Sequence, residues 1–248
     1  MFGWMRRLFK AGEPPPPESQ KLQSIADFAC VRCPHCGTTD ESRGDRICRF
    51  CGKHMGEMNE MSSLAEALAT GPMIDASRVK MVPKKFGIYA WFFKGLDENL
   101  TLTGCFNRDS WYLMYIGKAA KSTLFSRAND HFNGDTVQSG AVREAVGALL
   151  AKKLTLRHFR KGDDWMLEGD GERRLTEWLK ENARIAWVCS DNFQVRWPRG
   201  DGETDEQMIG RCEKLLINSY FRVPLNRDQV NKEICREVTT AWANSKLG

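Results

Sequence analysis

Two short runs constrain the sheet this chain can build. Residues 86–93 read Phe-Gly-Ile-Tyr-Ala-Trp-Phe-Phe, and residues 111–117 read Trp-Tyr-Leu-Met-Tyr-Ile-Gly. Both are dense in aromatic and β-branched side chains, which predicts two strands. The first holds Gly87-Ile88-Tyr89 and the second Tyr115-Ile116-Gly117, so a glycine and a tyrosine bracket an isoleucine in each, in opposite order. Residues 94–110 between them are polar and read as an extended connection.

Helical patterns follow. One covers about 123–133. A second covers about 139–152, with Val142, Val146, Leu149 and Leu150 on one apolar face. A third, at 172–182, leads into a strand from Arg184 to Cys189, and Phe193 to Trp197 reads as one more. The last long helix spans about 203–221 and stops before Pro224. The order β-β-α-α-α-β-(β)-α predicts a small α/β domain with a central antiparallel sheet flanked by helices. With 248 residues there is room for one or two domains. A hydrophobic share of 42% beside 28% charged residues is ordinary for a globular protein, and the net charge of +5 permits nucleic-acid binding without requiring it. No apolar run approaches the roughly 18 residues of a spanning helix, so no membrane partner is expected.

The N-terminal third is organised differently. The segment 1–29 is expected to be flexible and holds the proline run Pro14 to Pro17, an extended spacer. Its aromatic and basic start could be an amphipathic anchor, but a frayed terminus is the simpler account. Residues 18–29 could form one short helix. Residues 30–55 hold Cys33-Pro-His-Cys36-Gly and Cys48-Arg-Phe-Cys51-Gly. Each CxxC turn offers two thiolates, and two such turns complete the tetrahedral four-sulfur shell of a structural Zn2+. The pattern reads as a zinc ribbon held by Cys33, Cys36, Cys48 and Cys51, with Cys30 an alternative ligand. A four-cysteine shell leaves no open position for catalysis. Nine cysteines in all, an odd number with a CxxC cluster, fit a reducing, cytoplasmic setting better than a disulfide framework. Residues 56–85 read as a linker with a short helix opened by Ser63-Leu-Ala-Glu66, and 86–248 as the main domain.

Three features of that domain carry chemistry. Arg127 and His131 are four apart and share one helix face. A guanidinium grips phosphate oxygens in a fork, and an imidazole donates to phosphate or relays a proton; a solvated helix face is the plainer account of the pair. Glu213 has Ile209, Leu216, Ile217 and Tyr220 at −4, +3, +4 and +7, so a helix sets its carboxylate inside an apolar stripe. A buried carboxylate needs a cation: a hard divalent ion, Mg2+ or Mn2+, or a salt bridge to an arginine. The tyrosines could equally be sheet-packing residues with a hydroxyl at the edge. Arg143, Lys152 and Lys153, followed by Arg157, Arg160 and Lys161, could track a phosphate backbone or simply be soluble surface.

In order along the chain, Gly87-Ile88-Tyr89, Tyr115-Ile116-Gly117, Arg127-x-x-x-His131, Glu213 and Pro224-Leu-Asn226 resemble the GIY-YIG nuclease superfamily, over residues 86 to about 226. The spacing between the tripeptides is similar to a subgroup with a longer hairpin, and residues appear added around Ala120 to Ser122 relative to compact members. The resemblance implies a metal-dependent endonuclease cutting DNA, with RNA as an alternative substrate. It implies Tyr115 as the base that deprotonates water, its high phenol pKa of about 10 lowered by a lysine such as Lys118. Tyr89 would bind a phosphate oxygen or share the base role, Arg127 and His131 would act on the phosphate, Glu213 would hold Mg2+ or Mn2+, and Asn226 would orient the loop or the site. The zinc ribbon would serve substrate or partner binding. The alternative is a non-catalytic nucleic-acid-binding or protein-interaction scaffold that keeps the fold.

Overall fold

The computed structural model describes residues 31–32, 39–40, 56–96, 102, 105–134, 140–161, 164–192, 197, 200–226, 240–241 and 243–244. The proline spacer, the expected helix at 18–29, the zinc cysteines and most of the strand expected at 193–197 lie outside the described residues.

Two short strands, β1 (Val31–Arg32) and β2 (Thr39–Asp40), pair antiparallel on either side of the first CxxC segment. Helix α1 (Gly56–Thr70) and a short 3-10 turn (Ala76–Met81) precede the main sheet. That sheet is formed by β3 (Gly87–Phe93), β4 (Asn107–Arg108), β5 (Trp111–Ala119) and β8 (Ala183–Cys189), in the order β4-β5-β3-β8, all antiparallel. Between β5 and β8 run α2 (Leu124–Asn133), α3 (Ala141–Leu149), a hairpin of β6 (His158–Lys161) and β7 (Asp164–Leu167), and α4 (Gly171–Asn182). After β8 comes α5 (Asp205–Leu215), which continues as a π-helical turn, Leu216–Tyr220.

β3 lies between two partners, and all seven of its residues are buried. Side chains alternate between the faces of a strand, so β3 feeds two cores. Tyr89, Trp91 and Phe93 join a core with Leu124, Phe132, Val146 and Leu179, from α2, α3 and α4. Ile88, Ala90 and Phe92 join the other, with Leu64 and Leu68 of α1 and Ile209 and Cys212 of α5. Helices on both faces explain why the strand reads as an almost unbroken apolar run.

Three departures from the sequence reading have local causes. The short helix expected in a linker is fifteen residues long, and Met61, Leu64, Ala65, Leu68 and Ala69 are all fully buried. It is therefore a layer of the fold and not a spacer. The connection 94–110 contains β4, joined to β5 by Asp109 and Ser110, both at positive φ (52° and 67°). A two-residue hairpin loop needs that conformation, but Asp-Ser lacks the glycine that usually announces it. The β6–β7 hairpin is too short and too charged to show a clear period-2 pattern.

Candidate active site

The site starts from strand register. Tyr89 on β3 lies opposite Gly117 on β5, and Trp91 opposite Tyr115. Tyr89 and Tyr115 are thus diagonal neighbours on one face, their rings 6.3 Å apart and inclined by 30°. Gly117 makes this possible. A Cβ there would lie 2.6 Å from the Tyr89 hydroxyl oxygen and 2.7 Å from Tyr115 Cε1. The final residue of the second tripeptide is therefore the space over which the two phenols lean. Tyr89 is only 3% exposed. Burial, and then the proximity of Tyr115, push its phenol well above the usual value, against the pull of the Arg127 charge. Tyr89 is consequently a hydrogen-bond donor at neutral pH.

Helix α2 brings Arg127 and His131 to this face. Its N-cap, Thr123, accepts a hydrogen bond from Ser126 N at 3.1 Å, which fixes where the helix begins. The His131 ring lies 6.0 Å from that of Tyr89 and meets Trp91 edge-on at 5.4 Å. It is buried, and neither ring nitrogen has a hydrogen-bond partner among the described residues. Burial, reinforced by Arg127 and Arg143, lowers its pKa to about 3. His131 is therefore a neutral imidazole with one donor and one acceptor unused. Arg127 is half-buried. No carboxylate among the described residues pairs with it, and its buried Nε has no partner. Buried polar groups are rarely left so, and these two lie on the helix face that looks onto Tyr89.

Glu213 arrives from the other layer. A capping box between Thr204 and Gln207 starts α5, and Ile209, Leu216, Ile217 and Tyr220 are buried around Glu213 as the stripe predicts. The π-helical turn begins three residues after Glu213. Lys118 Nζ lies 2.9 Å from Glu213 Oε2, with the lysine side chain 39% exposed and the glutamate 5%. This corrects two expectations. The cation beside Glu213 is a lysine and not an arginine, and the partner of Lys118 is Glu213 and not Tyr115. Glu213 is also close enough for its charge to oppose ionisation of Tyr89.

Asn226 acts on backbone. Its Oδ1 accepts from Ile116 N at 2.9 Å and its Nδ2 donates to Ile116 O at 2.6 Å, while Leu225 N donates to Met114 O at 3.0 Å. The segment after the π turn thereby covers the outer edge of β5 and holds the strand of Tyr115 and Gly117 in place.

Arg143, expected on the nucleic-acid surface, is fully buried and bonded within the protein, so it cannot meet a phosphate backbone. The sequence did carry a signal. Apart from Arg143 and Glu144, α3 is apolar throughout, and a helix apolar on all sides is a buried one. Lys152 and Lys153 are exposed beyond that helix. Among the described residues no group of three or more His, Cys, Asp or Glu side chains could hold a metal ion, and Cys105, Cys189 and Cys212 form no disulfide.

A model of the GIY-YIG catalytic domain matches residues 87–244, more than half of the chain. The chain belongs to the GIY-YIG family. Its members are endonucleases, so the domain is of nuclease type, its expected substrate is nucleic acid, and such nucleases generally use divalent metal ions. No curated protein and no solved structure matches the chain. Within the GIY-YIG domain, Tyr89, Tyr115, Arg127 and His131 gather on one face of the sheet, and the Glu213–Lys118 pair lies at the same end. No helix among the described residues is long and apolar enough to cross a membrane.

Proposed function

We propose that this chain is a divalent-metal-dependent endonuclease that hydrolyses phosphodiester bonds in DNA. The observation that carries the reading is Arg127: a half-buried guanidinium with no carboxylate partner among the described residues, beside a buried neutral His131 and the protonated Tyr89. A half-buried guanidinium without a carboxylate partner among the described residues is suited to charge that arrives with the substrate. Arg127 and Tyr89 both donate to phosphate oxygens. His131, neutral, donates a hydrogen bond from one ring nitrogen and accepts one at the other. Glu213 is the one buried carboxylate among the described residues, which fits Mg2+ or Mn2+, ions that bind through one or two carboxylates, waters and substrate phosphate. When bound, the ion supplies charge neutralisation and an activated water. Lys118 has to leave Glu213 for this, and the released ammonium is what would lower Tyr115 towards a base.

The second reading, a non-catalytic scaffold, draws on that same Lys118–Glu213 pair, which already neutralises the carboxylate. Incubation of the purified chain with duplex, branched and single-stranded DNA and with RNA, in Mg2+, Mn2+ or EDTA, separates the two. Metal-dependent cleavage of DNA, abolished in Arg127→Ala, supports the nuclease. Tight binding without cleavage in either ion supports the scaffold. Lys152 and Lys153 are proposed to contribute backbone contacts.

The zinc ribbon belongs to the same proposal, with Cys33, Cys36, Cys48 and Cys51 as ligands of a structural Zn2+ that aids substrate or partner binding. The antiparallel pairing of Val31–Arg32 with Thr39–Asp40 across the first CxxC supports it. Elemental analysis of protein purified without chelators should find one zinc per chain, and none would end this part of the reading.

A further inference from the structure

We infer that Arg143 is a positioning residue of the nuclease site: its buried guanidinium clamps the end of the helix that carries Arg127 and His131. This rests on the nuclease reading and adds to it a residue that touches neither substrate nor metal. Arg143 is 0% exposed, an unusual place for a guanidinium. Its NH1 donates to His131 O at 2.9 Å. Its NH2 donates to Thr176 Oγ1 at 3.0 Å and to Glu172 Oε2 at 3.3 Å. Glu172 also accepts from Leu167 N at 3.4 Å, and Thr176 reaches Gly134 O at 3.5 Å. One side chain of α3 therefore ties the end of α2 to the first turns of α4 and to β7.

The target of the clamp matters. His131 O is among the last four carbonyls of α2, which lack an intrahelical donor, and a cation there also meets the negative end of the helix dipole. If only burial were needed, apolar residues would pack this space at less cost. A second contact comes from the same segment. Gly140, the residue before α3, has φ +148°, and a Cβ on it would lie 2.3 Å from His131 Cε1. Residue 140 thus presses backbone against the imidazole while residue 143 holds its carbonyl. The ring is confined between this segment and Tyr89 and Trp91 of β3. The charges facing it are those of Arg127 on its own helix and Arg143 on α3, and both act with burial to keep it neutral.

The test uses the full chain with Arg143→Met, Arg143→Lys and Glu172→Gln. It measures kcat and KM on a DNA the wild type cuts, the melting temperature, and the His131 ring resonances by NMR as pH is varied. Arg143→Met should lower kcat about 100-fold, the scale of a 1 Å misplacement, with KM changed less than about threefold. Its His131 resonances should shift and titrate at higher pH. Glu172→Gln should lose about 10-fold, and Arg143→Lys should recover part of the Met loss. If Arg143→Met does not fold, the other two variants decide by the same readings. Folded variants with a lower melting temperature but wild-type kcat and His131 resonances would overturn the inference and leave Arg143 a plain core residue. A wild-type chain that cleaves nothing overturns the nuclease reading instead, and unchanged His131 resonances in Arg143→Lys and Glu172→Gln still overturn this one.

Discussion

Glu213 and Lys118 form an ion pair of unequal burial, and the inequality sets what a substitution does. The lysine is 39% exposed, so removing the carboxylate charge lets its ammonium turn to water instead of stranding it. Glu213→Gln should change stability by less than about 1 kcal/mol, while cleavage is lost because the site no longer attracts a divalent ion. Thermal melts and a cleavage assay on the same preparation check this; a large fall in melting temperature with cleavage intact would make Glu213 a structural residue. His131 gives a pH signature. Its folded-state pKa, about 3, lies below the ordinary 6.5, so protonation favours the unfolded chain. Stability is therefore complete above about pH 6.5 and is lost as pH falls towards about 3. By pH 4.5 the loss from this one group is roughly 2–3 kcal/mol. His131→Phe keeps a buried ring without the proton, so its melting temperature should fall less than that of wild type between pH 7 and pH 4.5. Parallel curves for the two proteins would contradict the assignment.

At the level of elements, the site depends on how closely β3 and β5 approach. The antiparallel register sets Tyr89 across from Gly117 and Tyr115 across from Trp91. The ring positions follow from the missing side chain at 117 as much as from the tyrosines. In Gly117→Ala the new methyl would lie 2.6 Å from the Tyr89 hydroxyl oxygen, and both rings are held by packed neighbours. The expected cost is roughly 1–3 kcal/mol of stability and about 100-fold in cleavage. Denaturant titration and single-turnover kinetics check both. Wild-type cleavage in the folded variant would show that the tyrosines need no fixed separation. The π-helical turn after Glu213 has a comparable role, since it feeds the segment by which Leu225 and Asn226 bond β5. Irregular turns of this kind often sit at functional sites.

For the whole molecule, the question is where the folding unit begins. Five α1 residues from Met61 to Ala69 are fully buried in the same core as Ile88 and Phe92. Each large apolar side chain contributes roughly 1.5–3 kcal/mol by burial, so their loss approaches the total stability of an ordinary domain. A chain beginning at Gly56 should unfold cooperatively, and one beginning at Phe86 should not. Calorimetry on both decides it, and a sharp transition in the shorter chain would restore the picture of a separable linker. β1 packs close to the π turn that follows Glu213.

The sequence by itself determined the strands β3, β5 and β8 and the motif order. Aromatic and β-branched density and the spacing of Arg127 and His131 are local patterns, and local patterns dictate local structure. It also placed Glu213 in an apolar stripe, because a helix of known pitch turns spacing into a face. Tertiary structure decided which groups meet. Arg143 looked like one more surface cation until α2 and α4 closed over its own helix. Lys118 found Glu213 on another element instead of the tyrosine three residues away. The helix at 56–70 had no visible partner until the second face of the sheet existed to receive it. His131 became a neutral imidazole only through burial and two neighbouring guanidinium groups, one from its own helix and one from α3. Burial and charge pairing depend on residues far apart in the chain, and no spacing rule encodes them.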